Sequence, residues 1–458
     1  MIYSSLLYIY GFLPLALLIF YAVPKKHREA VLLVLSGVFC ASFSLYYLIF
    51  MAVYVLLNYT MCRITEYLKR KKSIAEVAMA STVILDITVL FSFRAPYMSW
   101  FAGMIRAPEG IYAVGISLFT LSAVGTLVDV YKGNEKAEKN IIRYALYIMF
   151  FPRLFIGPVM RYSTFRKVMA HPQTGAAQVG KGLAVFVKGL AKKVILADTL
   201  FMLYTAVYAS DDTKVPAVSA ILGIAAYLLG IYFEMSGLAD MGAGTSLCFG
   251  YRFPECFRYP IFSKRINYYA MRWNTPVVMW FKRYILWPLT ISAKSVFARG
   301  VVFLFAWALT GFWYTFDLSG VAAGIFLGAA ILIENRLRSR NTLRITGVVY
   351  TLIISGMSAL IFSQESLHGF FREIGSLIGM DGLADSSSLY MLKEYTLLLI
   401  AAAFFSSGIS KKLAGKVKKL KAAEKLSLVI PAAVLVMLVL CTALMASGGR
   451  SDQLFIKL

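Results

Sequence analysis

The chain has 458 residues, of which 59% are hydrophobic and 15% are charged, and its formal net charge is +24. Soluble domains are closer to half apolar and a quarter charged, so this composition excludes a soluble globular protein. The positive charge does not indicate a nucleic-acid partner, because the lysines and arginines fall in short clusters between apolar segments. The lipid bilayer is therefore the expected surroundings of this chain.

Apolar segments long enough to cross a bilayer recur along the whole chain. A crossing helix needs about 20 apolar residues, and these segments lack the alternating pattern of barrel strands. In chain order they are 1–23, 31–62, 76–94, 111–130, 194–209, 216–234, 299–316, 318–334, 345–362, 392–407 and 427–446. Segment 31–62 has room for two short crossings, and segment 1–23 lacks the features of a cleaved signal peptide. The sequence predicts an all-α, polytopic membrane protein with about 12 transmembrane helices in a single domain, residues 1–458.

The basic clusters predict which loops face the cytoplasm, because lysine and arginine concentrate on that side. The clusters are Lys25 to Arg28, Arg63 to Lys72, Lys132 to Arg143, Arg161 to Lys167, Lys188 to Lys193, Arg252 to Lys282, Arg336 to Arg344 and Lys411 to Lys425. The loops with few basic residues are 95–110, 208–215, 364–390 and 447–458. We expect these loops to face outward from the plasma membrane, with both termini extracytoplasmic.

Two further apolar stretches, 144–160 and 276–292, lie between basic clusters and are predicted to be re-entrant. Re-entrant backbone is tolerated only where protein or a water-filled cavity surrounds it. The first stretch contains Pro152 and Pro158, so its backbone cannot be a plain helix. Arg161 flanks this break. A loop that lines a cavity and a loop that simply packs both remain open here.

Polar residues inside apolar stretches mark other places of interest, because their burial is costly unless they are paired or used. Asp129 ends an apolar helix, where an interfacial cap explains it. Glu234 and Asp240 lie among closely spaced glycines and need buried partners such as Arg252, so a structural ion pair is one explanation.

Two aromatic motifs follow. Arg272, Trp273 and Asn274 end a segment typical of a helix in the cytoplasmic interface, which Pro276 should stop. Trp313, Tyr314 and Asp317 lie where two apolar segments meet, and a short outer turn in an aromatic belt explains them without chemistry.

Five scattered cysteines have neither paired nor metal-like spacing, and we expect them to be small packing residues. The chain also lacks a phosphate-binding loop, a nucleophile elbow and a dinucleotide fingerprint. The sequence thus predicts no metal and no tightly held cofactor.

Several ordered motifs resemble successive signatures of the membrane-bound O-acyltransferase family. They resemble most the branch with alginate O-acetyltransferases and the D-alanyl teichoic acid transfer protein. The motifs are SSLLYIYGFLPLALLIFYAVP, GISLFTLSAVGTLVDVYKG, FFPRLFIGPVMRYSTF, KGLAKKVILAD, SGLADMGAGTSLCFGYRFPECF and RWNTPVVMWFKRYILWPL.

This resemblance implies a helical shell around a central funnel or tunnel. An acyl group from a cytoplasmic donor, such as acyl-CoA or an acyl carrier protein, meets a hydroxyl of an exported polysaccharide or cell-wall polymer there. An extracytoplasmic acyltransferase is a further partner that the resemblance suggests.

The family's presumed general base is a histidine in a TGLWHG-like turn, and TGFWYTF at 310–316 places Tyr314 at that position. The partner position is Asn274. The remaining tunnel candidates are Arg272, Trp273, Trp313, Asp317, Arg161 and Asp240. The three histidines, His27, His171 and His368, all fall in predicted loops. A tyrosine with a pKa of about 10 is a weak base at neutral pH.

Two interpretations stay open. The chain is an acyltransferase in which Tyr314, Asp317 or substrate groups assist the attack. Alternatively, it is an inactive family member that binds, transports or scaffolds in an exported-glycan pathway. An unrelated transporter that couples ions through Asp240 and Arg252 is a third class, against which the ordered motifs argue.

Overall fold

A computed structural model of the chain describes residues 2–94, 115–208, 215–339, 347–364, 367–417 and 423–447. Every regular element in these ranges is a helix, which confirms the all-α prediction for them. In chain order the α-helices are α1 (Leu13–Ala22), α2 (Arg28–Ala41), α3 (Leu45–Tyr67), α4 (Lys72–Arg94), α5 (Ile116–Lys132), α6 (Ile141–Met149), α7 (Tyr162–Ala170), α8 (Ala176–Ala191), α9 (Asp198–Tyr208), α10 (Ala217–Cys248), α11 (Ile266–Arg272), α12 (Thr275–Phe281), α13 (Trp287–Ser292), α14 (Val296–Thr315), α15 (Leu318–Ser339), α16 (Val348–Ser363), α17 (Leu367–Leu377), α18 (Ser386–Ser406), α19 (Ile409–Val417) and α20 (Ala423–Ala446). The predicted outer loop 95–110 and most of loops 208–215 and 447–458 lie outside the described residues.

Seven helices within the described ranges are long and apolar enough to cross a membrane. They are Leu45–Arg70, Lys72–Arg94, Ala217–Cys248, Val296–Thr315, Leu318–Leu337, Ser386–Ser406 and Val429–Ala446. Leu7–Ala22 and Val348–Ser363 are apolar but shorter. The chain is therefore a multi-pass membrane protein, while the predicted number of about 12 spans is not confirmed.

The described chain forms two compact units. The first, called the N-unit, comprises Met1–Gly189 and Leu238–Glu255, and the second, called the C-unit, comprises Leu190–Gly237 and Cys256–Leu458. The single domain expected over residues 1–458 stays a prediction.

In the N-unit, the helical chain breaks after α6, as the two prolines predict. Residues 150–161 contain only a single 3₁₀ turn, Phe151–Arg153. The Arg153 side chain is buried there, 5.4 Å from the ring centre of Tyr147 and 5.4 Å from that of Phe165. The glycine-rich end of α10 packs closely against this segment, since a Cβ on Gly242 would lie 2.4 Å from the Pro152 carbonyl oxygen.

Two ion-pair groups of the N-unit tie its helices together. The Arg161 Nε lies 2.9 Å from Asp129 Oδ2, and its Nη2 lies 3.1 Å from Glu135 Oε1, so Asp129 is more than an interfacial cap. Asp240 pairs with Lys188 Nζ at 2.9 Å. Asp240 thus pairs with Lys188 and not with the suggested Arg252. Lys188 belongs to α8, a helix that is distant from Asp240 in the sequence.

The C-unit has its own buried ion cluster. Lys193 Nζ lies 2.9 Å from Glu234 Oε2 and 3.3 Å from Asp198 Oδ1, and all three side chains are at most 8% exposed. The sequence suggested Arg252 as a buried partner of Glu234, but the structure places Lys193 beside it, a residue of a predicted cytoplasmic basic cluster.

Glycines bring α14 and α15 of the C-unit unusually close together. A Cβ on Gly311 would lie 2.0 Å from the Gly320 carbonyl oxygen, and one on Gly324 would lie 2.2 Å from that of Trp307. Such distances leave no room for any side chain at these positions. The predicted short turn joins the two helices, with Phe316 in the left-handed region at φ 56°.

We expect Gly324→Ala to lower the free energy of unfolding by about 1–3 kcal/mol, because the added methyl group overpacks the helix contact. Thermal unfolding of the purified protein in detergent measures this change. Gly300→Ala is the matched control, since a Cβ at this α14 position meets no atom within 4 Å. Equal effects of the two substitutions would contradict the close contact.

We also expect Lys193→Met to destabilise the protein by about 3–5 kcal/mol, because it leaves two buried carboxylates without their ammonium partner. Lys188→Met serves as the control, since that lysine side chain is 56% exposed and the loss of such a pair costs about 0–1 kcal/mol. Chemical denaturation of both variants gives the comparison. A small loss in Lys193→Met would show that the cluster contributes little.

Candidate functional site

A cavity of about 100 Å³ lies within the C-unit. Its walls come from α10, α11, α12, α14, α15 and α16 and from the segment after α11. The lining residues are Leu228, Ile231, Met235, Tyr269, Ala270, Trp273, Val278, Trp307, Thr310, Gly311, Tyr314, Ala323, Gly324, Leu327, Ser358, Ala359 and Phe362. None of these side chains carries a charge at neutral pH, so the cavity is suited to an uncharged guest.

The glycine contact between α14 and α15 forms one wall of this cavity. Gly311 and Gly324 both line it, and Tyr314 follows Gly311 by one helical turn. Because residues three apart share a helix face, Tyr314 presents its ring on the same side as Gly311.

Tyr314 and Trp313 each hold a polar hydrogen in a buried position. The Tyr314 Oη and the Trp313 Nε1 are inaccessible to solvent, and the Trp313 Nε1 makes no hydrogen bond to a described residue. The Tyr314 side chain lies next to the Asn274 amide, with Tyr269 and Cys256 also nearby. Buried donors without partners are rare in native proteins and call for an explanation.

Asn274 sits at a sharp backbone turn. It is 3% exposed and adopts a left-handed conformation, φ 38° and ψ 59°, immediately before α12. Asparagine tolerates this conformation better than most residues. The Thr275 amide donates to the Cys256 carbonyl at 2.8 Å, which fixes the turn. The helix ends at Arg272 and Pro276 lies inside the first turn of α12, so Asn274 rather than Pro276 marks the break.

Trp273 lines the cavity as one member of an aromatic group. Its ring centre lies 5.7 Å from Tyr269, 5.8 Å from Phe257 and 6.2 Å from Tyr232. Arg272, by contrast, is exposed, and its guanidinium lies 5.7 Å from the Tyr268 ring. The three aromatic neighbours of Trp273 hold its indole ring in place.

Besides Arg272, Lys282 is a basic residue near the turn at Asn274. Its Nζ lies 2.8 Å from the Met271 sulfur, and burial lowers the pKa of its amine from the ordinary value.

Five of the six predicted tunnel residues do not line the cavity, namely Arg272, Trp313, Asp317, Arg161 and Asp240. Asp317 lies in the turn between α14 and α15, where its Oδ1 accepts a hydrogen bond from the Leu318 amide at 2.7 Å. Arg161 and Asp240 belong to the N-unit, in the ion pairs described above. Their roles in a tunnel stay predictions.

The sequence analysis missed the group that anchors α11. Glu334 is 4% exposed and accepts hydrogen bonds from Arg265 Nε at 2.7 Å and from the Ile266 amide at 2.9 Å. It thereby holds the start of α11 against α15. A lone acid in the apolar stretch AILIENRL was the available signal.

The arrangement has neutral hydrogen-bond donors and no strong base. Thr310 uses its hydroxyl hydrogen within α14, donating to the Ala306 carbonyl at 2.7 Å. His27 and His171 do not line the cavity, and the side chain of His368 lies outside the described part of the chain. In the described ranges, no three His, Cys, Asp or Glu side chains form a metal-binding group. Polarising a carbonyl is therefore the chemistry that the described residues support.

Comparison with known proteins places the chain among acyltransferases. Residues 33–343 match the model of MBOAT, the membrane-bound O-acyltransferase family. The chain is 27% identical over 419 residues to a probable alginate O-acetylase of Azotobacter vinelandii, an alignment that covers 87% of this chain and 83% of that protein.

Two further relatives act on cell-wall polymers, according to their names. The chain is 24% identical to a peptidoglycan O-acetyltransferase of Helicobacter pylori, over 60% of this chain and 58% of that protein. It is 26% identical to a teichoic acid D-alanyltransferase of Bacillus subtilis, over 47% of this chain and 55% of that protein. Because the family match extends over more than half of its length, the chain belongs to the membrane-bound O-acyltransferase family.

Proposed function

We propose that this protein transfers a short, uncharged acyl group, such as acetyl, from a cytoplasmic donor to a hydroxyl of an exported polysaccharide or cell-wall polymer. The observation that carries this proposal is the uncharged cavity, into which the ring of Tyr314 faces. The names of the relatives, which include an alginate O-acetylase and a peptidoglycan O-acetyltransferase, support the same class of acceptor.

The size of the cavity favours a small acyl group. An engineered apolar cavity of about 150 Å³ binds benzene, which has six non-hydrogen atoms. By that comparison, a cavity of about 100 Å³ has room for about four non-hydrogen atoms. Acetyl and propionyl groups fit within this volume.

The charge of the lining favours acetyl over D-alanyl. A D-alanyl ester carries an ammonium group, and burying an unpaired charge costs several kcal/mol. No carboxylate is among the residues that line the cavity. Although the chain resembles a D-alanyltransferase in part, its cavity therefore offers no partner for that ammonium.

Tyr314 is placed to act as a hydrogen-bond donor rather than as a base. Its hydroxyl is buried beside the Asn274 amide, and a neutral phenol donates readily while accepting a proton poorly. In the transition state, the carbonyl oxygen of the acyl group gains negative charge, which a buried donor stabilises. The acceptor oxygen bonds to the carbonyl carbon, the bond to the donor's thioester sulfur breaks, and the hydroxyl proton passes to that sulfur.

The acyl donor, the partner protein and the orientation in the membrane are parts of the same proposal. The donor is acyl-CoA or an acyl carrier protein, and an extracytoplasmic acyltransferase is the expected partner on the other side. The protein sits in the plasma membrane with both termini outside, and residues 1–458 act as one domain. The basic loops between its apolar helices support this orientation.

We expect Tyr314→Phe to lower the rate of acetyl transfer by about 10²–10³-fold, the usual cost of losing one oxyanion donor. Membranes that contain the protein, a radiolabelled acetyl donor and the acceptor polymer provide the assay. Tyr46→Phe is the matched control, because this α3 tyrosine is 70% exposed. Unchanged transfer in Tyr314→Phe would exclude the donor role.

The second candidate function is that of an inactive family member that binds, transports or scaffolds within the pathway. It is favoured by the tyrosine at the position where the family carries a histidine. The same assay separates the two functions, with Tyr314→His and Asn274→Ala added. If the native protein shows no transfer while Tyr314→His gains it, the altered enzyme is excluded and the inactive member stands.

We expect Phe362→Ala to widen the cavity and relax its acyl selectivity. Each added methylene is worth about 1–3 kcal/mol in a fitted pocket, so the rate ratio of butyryl to acetyl should rise about tenfold or more. Competition between labelled acetyl, butyryl and D-alanyl donors measures the ratio. Phe371→Ala, at an α17 position that is 67% exposed, is the control. Preferred transfer of D-alanyl by the native protein would overturn the assignment of the cavity.

A further inference from the structure

Helix α17 of the C-unit turns polar side chains inward and apolar side chains outward. Glu373 and Ser376 are only 2% and 1% exposed. The outward side chains of the helix and of the turn after it, called here the α17 face, are Phe371 (67% exposed), Ile378 (69%), Met380 (77%) and Leu383 (76%). A helix on the surface of a soluble domain shows the opposite pattern, with its apolar side toward the core.

Hydrogen bonds hold the polar side of α17 against the protein. The Tyr208 hydroxyl of α9 donates to the Glu373 carboxylate. The Ser376 hydroxyl donates to Asp381 Oδ2 at 3.0 Å, and the Val215 amide donates to the same oxygen at 3.3 Å. Turning the helix over would break these bonds, so its apolar residues are fixed in their outward position.

Backbone hydrogen bonds set the level of the α17 face relative to the candidate membrane spans. The Ala217 amide donates to the Gly382 carbonyl at 3.0 Å, and the Val218 amide donates to the Leu383 carbonyl at 3.0 Å. Ala217 is the first residue of the candidate span Ala217–Cys248. The turn after α17 is therefore level with the start of that span.

The start of α18 gives the same level. The Ser219 hydroxyl of α10 donates to Ser388 Oγ at 3.0 Å, and Ser388 lies in the first turn of the candidate span Ser386–Ser406. A helix of 21 residues is about 31 Å long, which matches the hydrocarbon core of a bilayer at about 30 Å. Tyr390, in the second turn of α18, is 66% exposed, as is typical of tyrosine at the membrane boundary.

Arg372 adds a positive charge beside the α17 face. It follows Phe371 in the chain and is also exposed. At a membrane boundary, an arginine lays its methylene stem along apolar surface and keeps its guanidinium among the lipid headgroups. Their phosphate groups carry the opposite charge, so lipid suits both kinds of side chain here.

We propose that the α17 face binds the phospholipid bilayer, with its four apolar side chains at the boundary between headgroups and acyl chains. Interfacial helices bury their apolar side about 5–10 Å into this region. Helix α17 thereby anchors the starts of α10 and α18 at the membrane boundary. No residue of α17 lines the candidate cavity, so this inference does not rest on acyl transfer.

Spin labels on the full-length protein in phospholipid nanodiscs test this inference. Phe371→Cys, Ile378→Cys and Leu383→Cys each place a nitroxide on the α17 face, and labelled native protein gives the background because its five cysteines are buried. We expect the ratio of oxygen accessibility to nickel-chelate accessibility to exceed that of Lys139→Cys, an exposed loop position, about threefold or more. Leu397→Cys, at a position 79% exposed in the middle of α18, gives the value for the lipid core.

A second measurement uses Phe371→Cys labelled with bimane. Phospholipids brominated near the carboxyl end of their acyl chains should quench its fluorescence more than phospholipids brominated near the methyl end. Aqueous iodide should quench it weakly. For Leu397→Cys, the order of the two brominated phospholipids should be reversed.

Two results would overturn the proposal. Nickel-chelate accessibility equal to that of Lys139→Cys would place the α17 face in water. Low accessibility to both oxygen and the nickel chelate would mean that protein, such as a second copy of this chain, covers the face. Neither outcome depends on whether the protein transfers acyl groups.

Discussion

The contact between α14 and α15 fixes the geometry on which the candidate site depends. A Cβ at Gly311 or Gly324 would lie about 2 Å from a backbone oxygen of the facing helix, so neither position has room for a side chain. In a bilayer, where burial of apolar surface drives helix association only weakly, such close backbone packing is a main source of stability. The same contact places Gly311 and Tyr314 on one wall of the cavity. The same contact therefore determines both the packing of α14 against α15 and the position of Tyr314.

Several buried charges within the helical units meet an opposite one. Lys193 lies between Glu234 and Asp198, and Glu334 receives Arg265. These pairs join helices that are distant in sequence and fix their register. Arg153, by contrast, is buried against the rings of Tyr147 and Phe165.

Hydropathy predicted the all-α class and most helix positions, because a bilayer admits little else. Pro152 and Pro158 also predicted the irregular segment after α6. The partners of Glu234 and Asp240 could not be found in this way, since Lys193 lies 41 residues before Glu234 and belongs to a basic cluster. Glu334 was missed for a related reason: it is a single acid in a long apolar stretch, and its partner Arg265 lies 69 residues before it. Ordinary loop-charge reasoning likewise did not yield a confirmed number of spans, because helix length and breaks depend on tertiary packing.

The neutral lining of the cavity makes a tyrosine a consistent choice at position 314. A neutral imidazole base becomes a cation when it takes a proton, and a cation in an uncharged pocket must be stabilised by a nearby acid. Asn274 lies beside Tyr314 and offers an amide, which cannot balance such a charge. A hydroxyl that only donates a hydrogen bond stays neutral throughout the reaction, so it needs no such partner. The loss of imidazole and the absence of a lining carboxylate are therefore compatible with each other, and together they favour polarisation of the acyl carbonyl over proton abstraction.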